Sequence, residues 1–332
     1  MSDAQLQDRL RSTLQALAPA IVPGAGEVLA LERLSGGATQ EIWRFELSTK
    51  AGPRSLILRR APGGDRISGA GVGLAVEARL IAAADRLGVP VPSALYVLQP
   101  ADGLGEGFVM DFVEGETLGG RIVRAELFAD ARQRLAHDCG KILARIHALD
   151  PFDFPSLPVQ APIDLVEQWR ASYRSGAVAR PVFELAFRWL ADNAPAPPPR
   201  PCVVHGDFRN GNLMIGPDGV RAVLDWELAH VGDPMEDLGW LCVNSWRFGA
   251  IDKPVGGFGD YDDLYRGYEA AGGAPVDRAA IRWWEMLGTI RWGVICANGL
   301  ETFRTVDPTI ERAMIARRTS ETEIDLLRLL GA

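Results

Sequence analysis

The feature that most constrains the fold is a change of composition at Glu114. Before it the chain reads mostly as strands, with two helices among them, and beyond it the composition becomes mainly helical. A chain divided in this way predicts the α+β class, with most of its strands gathered in one part and most of its helices in another. After an amphipathic N-terminal helix, Val28 to Arg60 reads as strand, Gly-containing turn, strand, turn and strand. The middle strand, EIWRFEL, interleaves Ile42, Trp43 and Phe45 with polar residues, and SLILRR has the continuous apolar run of a buried strand. The Gly-rich PGGDRISGAGVG leads into a helix at about Ala75 to Leu87, with Leu80, Ala84 and Leu87 on one face and Gly88 as its stop. ALYVL and GFVMDFV, joined by ADGLGEG, add two strands. Residues 1–113 are thus expected to form an antiparallel five-stranded sheet with one helix, and residues 114–332 a larger, mainly helical part.

The helical part opens with a periodic stretch from Glu126 to Leu149, in which Leu135, Cys139, Ile142 and Ile146 share a face. PAPPPRP resembles a linker in composition, but it runs directly into the apolar CVVHGD and reads as a surface loop. The net charge of -8 over 332 residues gives no general attraction to nucleic acid or anionic membranes, so neither is an expected partner. Four cysteines without C-x-x-C spacing read as small buried hydrophobes. The N-terminal stretch has no apolar core of a secretory signal and no segment suits a bilayer span, so a cytoplasmic protein is expected.

Chemistry concentrates in VVHGDFRNGNLMI and VRAVLDWELAHVGDPMEDLGW. Each is an apolar strand that delivers acidic or amide side chains at its end. Phosphoryl transfer requires a carboxylate to orient and deprotonate the attacking hydroxyl, and oxygen ligands to hold magnesium against nucleotide phosphates. Asp207, Asn212 and Asp225 supply such a set, with Gly211 permitting a sharp turn between the first two. His205 invites a general-base reading, whereas His147 and His230 read as packing or capping residues and Asp233 and Asp237 as caps of a helix starting near Pro234.

These motifs, His205-Gly206-Asp207 through Asn212, then Leu224-Asp225-Trp226-Glu227, Gly232-Asp233-Pro234 and Asp237-Leu238, resemble the aminoglycoside phosphotransferase and choline kinase-like superfamily. LSGGATQEIWRF, SLILRRAP, VPVP and FVMDFVEG follow in that family's order, and the branch related to the kinase domain of acyl-CoA dehydrogenase fusion proteins looks most similar. The resemblance implies a two-lobed, protein-kinase-like fold and a small-molecule kinase using ATP and Mg2+, with GTP left open as the donor. It implies Asp207 as base, His205 as a brace for the catalytic loop in preference to a base, Asn212 and Asp225 as metal ligands, and Ser35, Gly36 and Gly37 as the turn over the phosphates. Met110 to Val113 would be the hinge, with the Asp111 carbonyl and the Val113 amide bonding adenine. Where most kinases carry a lysine this chain has Arg59 and Arg60; Arg59, in register with Ile57, takes the lysine's role, paired with Glu77.

Only WELAHVGDPME separates Asp225 from Asp237, too little for the activation segment of a protein kinase. A nucleotide-binding pseudokinase remains an alternative, as does an aminoglycoside or choline-type acceptor. Between Leu238 and Arg304 lie Trp240, Trp246, Trp283, Trp284 and Trp292, with Arg247, Arg282, Arg291 and Arg304. Trp240, Trp246, Arg247 and Arg291 are the candidates for binding a small hydroxylated acceptor of apolar or anionic character, such as a hydroxyacyl compound. Of the adjacent Trp283 and Trp284, at least one is expected in the core.

Overall fold

Trp43, Phe45 and Leu47 alternate along one strand, and Leu56 and Leu58 along the next, so both present their apolar side chains to the same side of a sheet. In the computed structural model of the chain, which describes residues 3–34, 40–61, 71–176, 178–306 and 309–331, these strands are central. The elements run α1 (Asp3–Ile21), β1 (Val28–Leu34), β2 (Glu41–Thr49), β3 (Gly52–Ala61), α2 (Leu74–Arg86), β4 (Ala94–Val97) and β5 (Glu106–Asp111). They form an antiparallel five-stranded sheet of order β1-β2-β3-β5-β4. One face packs Leu31, Trp43, Phe45, Leu56, Leu58 and Val109 against Leu10 and Leu14 of α1. Helix α1 is also tied to β1 by Gln7 Nε2 donating to the Leu31 carbonyl at 2.8 Å and Arg11 Nη1 to that of Val28 at 2.9 Å. The other face carries Ile57 and Arg59, the latter meeting Glu77 of α2.

Two compact units result, the first being Met1–Gly115 with Arg221–Ala229 and the second Glu116–Val220 with His230–Ala332. The excursion is fastened into the first unit by main-chain bonds, Val223 N–H to the Pro90 carbonyl at 2.8 Å and Val72 N–H to that of Glu227 at 3.0 Å.

The second unit continues with α3 (Gly119–Arg124), α4 (Ala129–Ile146), α5 (Pro162–Arg174), α6 (Pro181–Asp192), β6 (Cys202–Val204) and β7 (Leu213–Gly216). Strand β8 (Gly219–Val223) leads the chain out, and β9 (His230–Gly232) brings it back to pair antiparallel with β6. Then follow α7 (Met235–Cys242), α8 (Tyr261–Ala270), α9 (Arg278–Thr305), α10 (Ile310–Ala316) and α11 (Thr319–Leu330). Leu135, Cys139, Ile142 and Ile146 do lie on the buried face of α4, and all four cysteines are buried and free. Trp283 and Trp284 both belong to the core: their indole N–H groups donate to the Leu190 carbonyl at 2.9 Å and to Asp233 Oδ2 at 3.0 Å. No helix among the described residues is long and apolar enough to cross a membrane.

Helices α4 and α8 approach unusually closely through Gly140, which faces the Leu264 carbonyl and the Tyr268 amide, and Gly267, which faces the His137 carbonyl. A Cβ at either position would meet main-chain atoms that cannot rotate away. Gly140→Ala should therefore lower stability by about 1–3 kcal/mol, although alanine is the better helix former. An unchanged or raised midpoint in urea denaturation would show that the two helices can separate without cost.

Candidate active site

In the second unit β6 ends at Val204 and the chain turns through His205 to Asn212 before β7 begins. Gly211, with φ at +122°, makes the bend that brings Asn212 back to Asp207. Asn212 Nδ2 donates to the Asp207 carboxylate at 2.6 Å and to its main-chain carbonyl at 3.0 Å. Asp207 Oδ1 also accepts from Trp240 Nε1 at 2.8 Å and Arg209 Nε at 3.1 Å. The carboxylate is thus aimed by three donors, and the Asn212 amide is oriented with its nitrogen inward. Its Oδ1 is left as the atom available to a hard cation.

Beneath this loop lies Asp237, fully buried on α7. It accepts from the His205 N–H at 2.8 Å and the Gly206 N–H at 2.9 Å, and lies 3.1 Å from His147 Nε2. His147 Nδ1 in turn meets the Tyr268 hydroxyl at 2.8 Å. Burial pushes the Asp237 carboxyl up, but the His147 hydrogen bond and the surrounding histidine charges and amide donors outweigh it and hold the carboxyl below its ordinary value. Asp237 therefore does not cap α7 as expected. That role falls to Asp233, whose Oδ1 accepts from the Met235 N–H at 2.9 Å. His205 braces the loop through its Nδ1, which accepts the Asp207 N–H at 3.2 Å, and His230 pairs with Glu236 at 3.1 Å.

Trp240 and Trp246 stand edge to face at 5.2 Å, and Trp246 packs on Trp292 at 5.0 Å. The Arg291 guanidinium lies 4.5 Å from the Trp240 ring centre, and that of Arg209 lies 4.6 Å from Trp246. Trp240, Trp246 and Arg291 are accordingly gathered around Asp207. Arg247 is not: its guanidinium donates to Glu285 Oε1 and the Cys242 carbonyl, both at 2.7 Å. It neutralises a buried carboxylate that also accepts from the Tyr261 hydroxyl at 2.8 Å. Arg209, two residues past Asp207, is the guanidinium that packs on Trp246 and donates to Asp207. Its stacking on Trp246 depends on a contact between residues far apart in the chain, which no local pattern encodes.

In the first unit Arg59 joins three partners. Nη1 reaches Glu77 Oε1 at 2.5 Å, while Nη2 reaches Gln40 Oε1 at 2.8 Å and Asp225 Oδ1 at 3.3 Å. Arg60 points to the opposite face, its Nε 3.5 Å from Glu41. Asp225 has φ at +65°, a left-handed conformation uncommon for residues other than glycine, and its side chain is 37% exposed. Farther along the sheet, the Asp111 N–H donates to the Ser93 carbonyl at 3.1 Å and the Phe112 N–H to that of Ser55 at 3.2 Å. Within the strand the Asp111 carbonyl turns to the same side as its N–H, toward Ser93. The Asp111 carboxylate is held by Arg54 at 2.7 Å. Ser35, Gly36 and Gly37 lie outside the described residues.

Residues 30–274 match the family model described as the phosphotransferase enzyme family. Mouse acyl-CoA dehydrogenase family member 10 is 29% identical over 245 residues, covering 71% of this chain and 22% of that protein. The chain thus spans about a quarter of the length of the curated relatives it matches. A candidate aminoglycoside phosphotransferase from Ralstonia eutropha, known from its crystal structure, superposes over 96% of this chain and 97% of its own, with a TM-score of 0.75 and 21% identity. A spectinomycin phosphotransferase crystallised with ADP and spectinomycin superposes over 98% of both chains, with a TM-score of 0.64 and 11% identity. At these identities the superpositions establish a shared fold.

Burial pushes the Glu77 carboxyl up from 4.5 to about 7 against the opposing pull of Arg59. Folded Glu77 then holds a proton that the unfolded chain releases. Its contribution to stability is present below the ordinary value of 4.5 and is lost as pH rises to about 7. Denaturation measured across that window should show this decline in the native sequence and a flatter profile in Glu77→Gln. Parallel profiles would show that Glu77 stays ionised throughout.

Proposed function

Because the chain belongs to the phosphotransferase enzyme family, we propose that it moves the γ-phosphate of ATP to a hydroxyl of a small molecule. Asp207 serves as base, and Asn212 and Asp225 as magnesium ligands. The observation that carries this reading is the Asp207–Asn212 pair. One amide nitrogen holds the carboxylate in place, and the same amide turns its oxygen outward. Asp207 accepts the proton of the acceptor hydroxyl while the hydroxyl oxygen attacks the γ-phosphorus, whose bond to the β,γ-bridging oxygen breaks so that ADP leaves.

The donor atoms fit magnesium. Asn212 Oδ1 and the half-exposed Asp225 carboxylate are hard oxygen ligands. Among the described residues no group of three or more His, Cys, Asp or Glu side chains could form an all-protein cage. Magnesium characteristically binds through one or two protein oxygens together with nucleotide phosphates, and when bound it would neutralise the charge on those phosphates. Arg59, held by Glu77, Gln40 and Asp225, is proposed to grip the phosphates in place of a lysine. The Asp111 carbonyl and the Val113 amide would bond the adenine, and Ser35, Gly36 and Gly37 would cover the phosphates. The ADP bound to the spectinomycin enzyme supports a nucleotide in this fold. GTP is the alternative donor.

For the acceptor we favour a hydroxyacyl acid or its CoA thioester, bound beside Trp240, Trp246 and Arg291. The aminoglycoside phosphotransferases of similar fold favour the second reading, an antibiotic acceptor. A polycation, however, would meet Arg209 and Arg291 beside the base. The pseudokinase alternative has less support, because Asp207, Asn212 and Asp225 are all present.

Asp207→Asn should lower turnover by about 10²–10⁴-fold, the range for loss of a general base, and leave Mg-ATP affinity nearly unchanged in calorimetry. Near-normal turnover would remove Asp207 from the mechanism. Asp225→Ala should instead weaken the magnesium-dependent part of nucleotide binding. Arg59→Ala should raise the KM for ATP while Arg60→Ala does not, and equal effects would contradict the assignment to Arg59.

A further inference from the structure

Arg291 projects from the middle of α9 into the tryptophan cluster, half-buried, with Trp240 at 4.5 Å and Trp169 at 5.7 Å from its guanidinium. Its one hydrogen bond is Nη1 to the Gly206 carbonyl at 3.3 Å, and its Nε is buried without a partner. Among the described residues no carboxylate pairs with it. Its neighbours lack acceptors too, since the indole N–H groups of Trp246 and Trp292 are buried and unmatched. The nearby Asp207 carboxylate is already committed to Asn212, Trp240 and Arg209.

A half-buried cation with no counter-ion is costly, and a surrounding cluster with donors to spare and no free acceptor compounds the cost. The contrast with Arg247 is informative. That side chain lies in the same unit and is paired with the Glu285 carboxyl at 2.7 Å, so an acidic partner is supplied there and none is supplied at Arg291. Cation–π contact with two indoles offsets part of the cost at Arg291 without supplying a negative charge.

We propose that Arg291 forms an oxyanion subsite for the acceptor, whose carboxylate or phosphate group supplies the missing counter-ion. This deepens the phosphotransfer reading above and rests on it for the identity of the ligand as acceptor. Trp240 links the two ends of the site: its face carries Arg291 and its N–H holds Asp207. The anionic group and the reacting hydroxyl are therefore separated by the span of one indole, which suits a short aliphatic chain lying along the ring.

The test measures binding without nucleotide, by calorimetry and tryptophan fluorescence, for 3-hydroxybutanoate, glycerol 3-phosphate and the uncharged butane-1,3-diol. At least one of the two anions should bind 10-fold or more tightly than the diol, and their ranking identifies the preferred oxyanion. Arg291→Gln should abolish the preference and Arg291→Lys should keep part of it, while Mg-ATP affinity stays unchanged in both. Asp207→Asn should retain the preference. If the diol binds as tightly as the anions, if no anion binds, or if Arg291→Gln keeps the preference, the subsite is overturned. If the preference depends on Arg291 but no acceptor elicits ATP consumption, the subsite stands and the phosphotransfer reading fails.

Discussion

The geometry around Asp207 depends on one buried carboxylate that takes no part in the proposed chemistry. Asp237 receives two consecutive main-chain N–H groups, those of His205 and Gly206, and so sets the peptide planes from which Asp207 projects. A carboxylate with no solvent contact is tolerable only where donors surround it. Here the donors are those two amides and His147, which is itself fixed by Tyr268. The Tyr268 hydroxyl is in reach because Gly140 and Gly267 let α4 and α8 approach without intervening side chains. The chain of cause thus runs from two glycines, through a tyrosine and a histidine, to the orientation of the base.

The first unit shows the same economy with a different balance. Arg59 meets three partners, yet burial leaves Glu77 reluctant to carry its charge. The adjoining Asp225 adopts a conformation that most residues avoid. Such a group of coupled, strained and incompletely neutralised side chains is characteristic of a place where a further charged species is to be accommodated. Arg60, one residue on, faces away toward Glu41, and the pleat of the strand alone accounts for the difference.

Much of this was legible in the sequence because it is local. Strand alternation identified the sheet and the face carrying Arg59, and the change of composition separated the strand-rich part from the helical part. The glycine between Asp207 and Asn212 announced their return turn. What depended on distant contacts was less legible. Asp237 reads as a helix cap from its place three residues after Pro234, but its oxygens turn to a loop thirty residues earlier. Arg247 and Arg209 are equivalent in composition, and only packing decides that one meets Glu285 and the other Trp246. The adjacent Trp283 and Trp284 both reach buried acceptors because α9 is covered on more than one side.

The excursion at Arg221–Ala229 bears on how the protein comes into being. Every strand of the first unit's sheet lies before residue 112, so the sheet can pair early as the chain leaves the ribosome. Arg59, Val72 and Pro90 must nevertheless wait for partners between Val223 and Glu227, more than a hundred residues later. A sheet paired at that stage would lack Asp225 beside its arginine, and Val72 and Pro90 would lack their main-chain partners. Half of the second unit is made in that interval. Maturation of the charged face of the sheet is thereby tied to emergence of the segment that follows Asp207, and a nascent chain gains its complete set of candidate phosphate-handling groups only after both stretches have been translated.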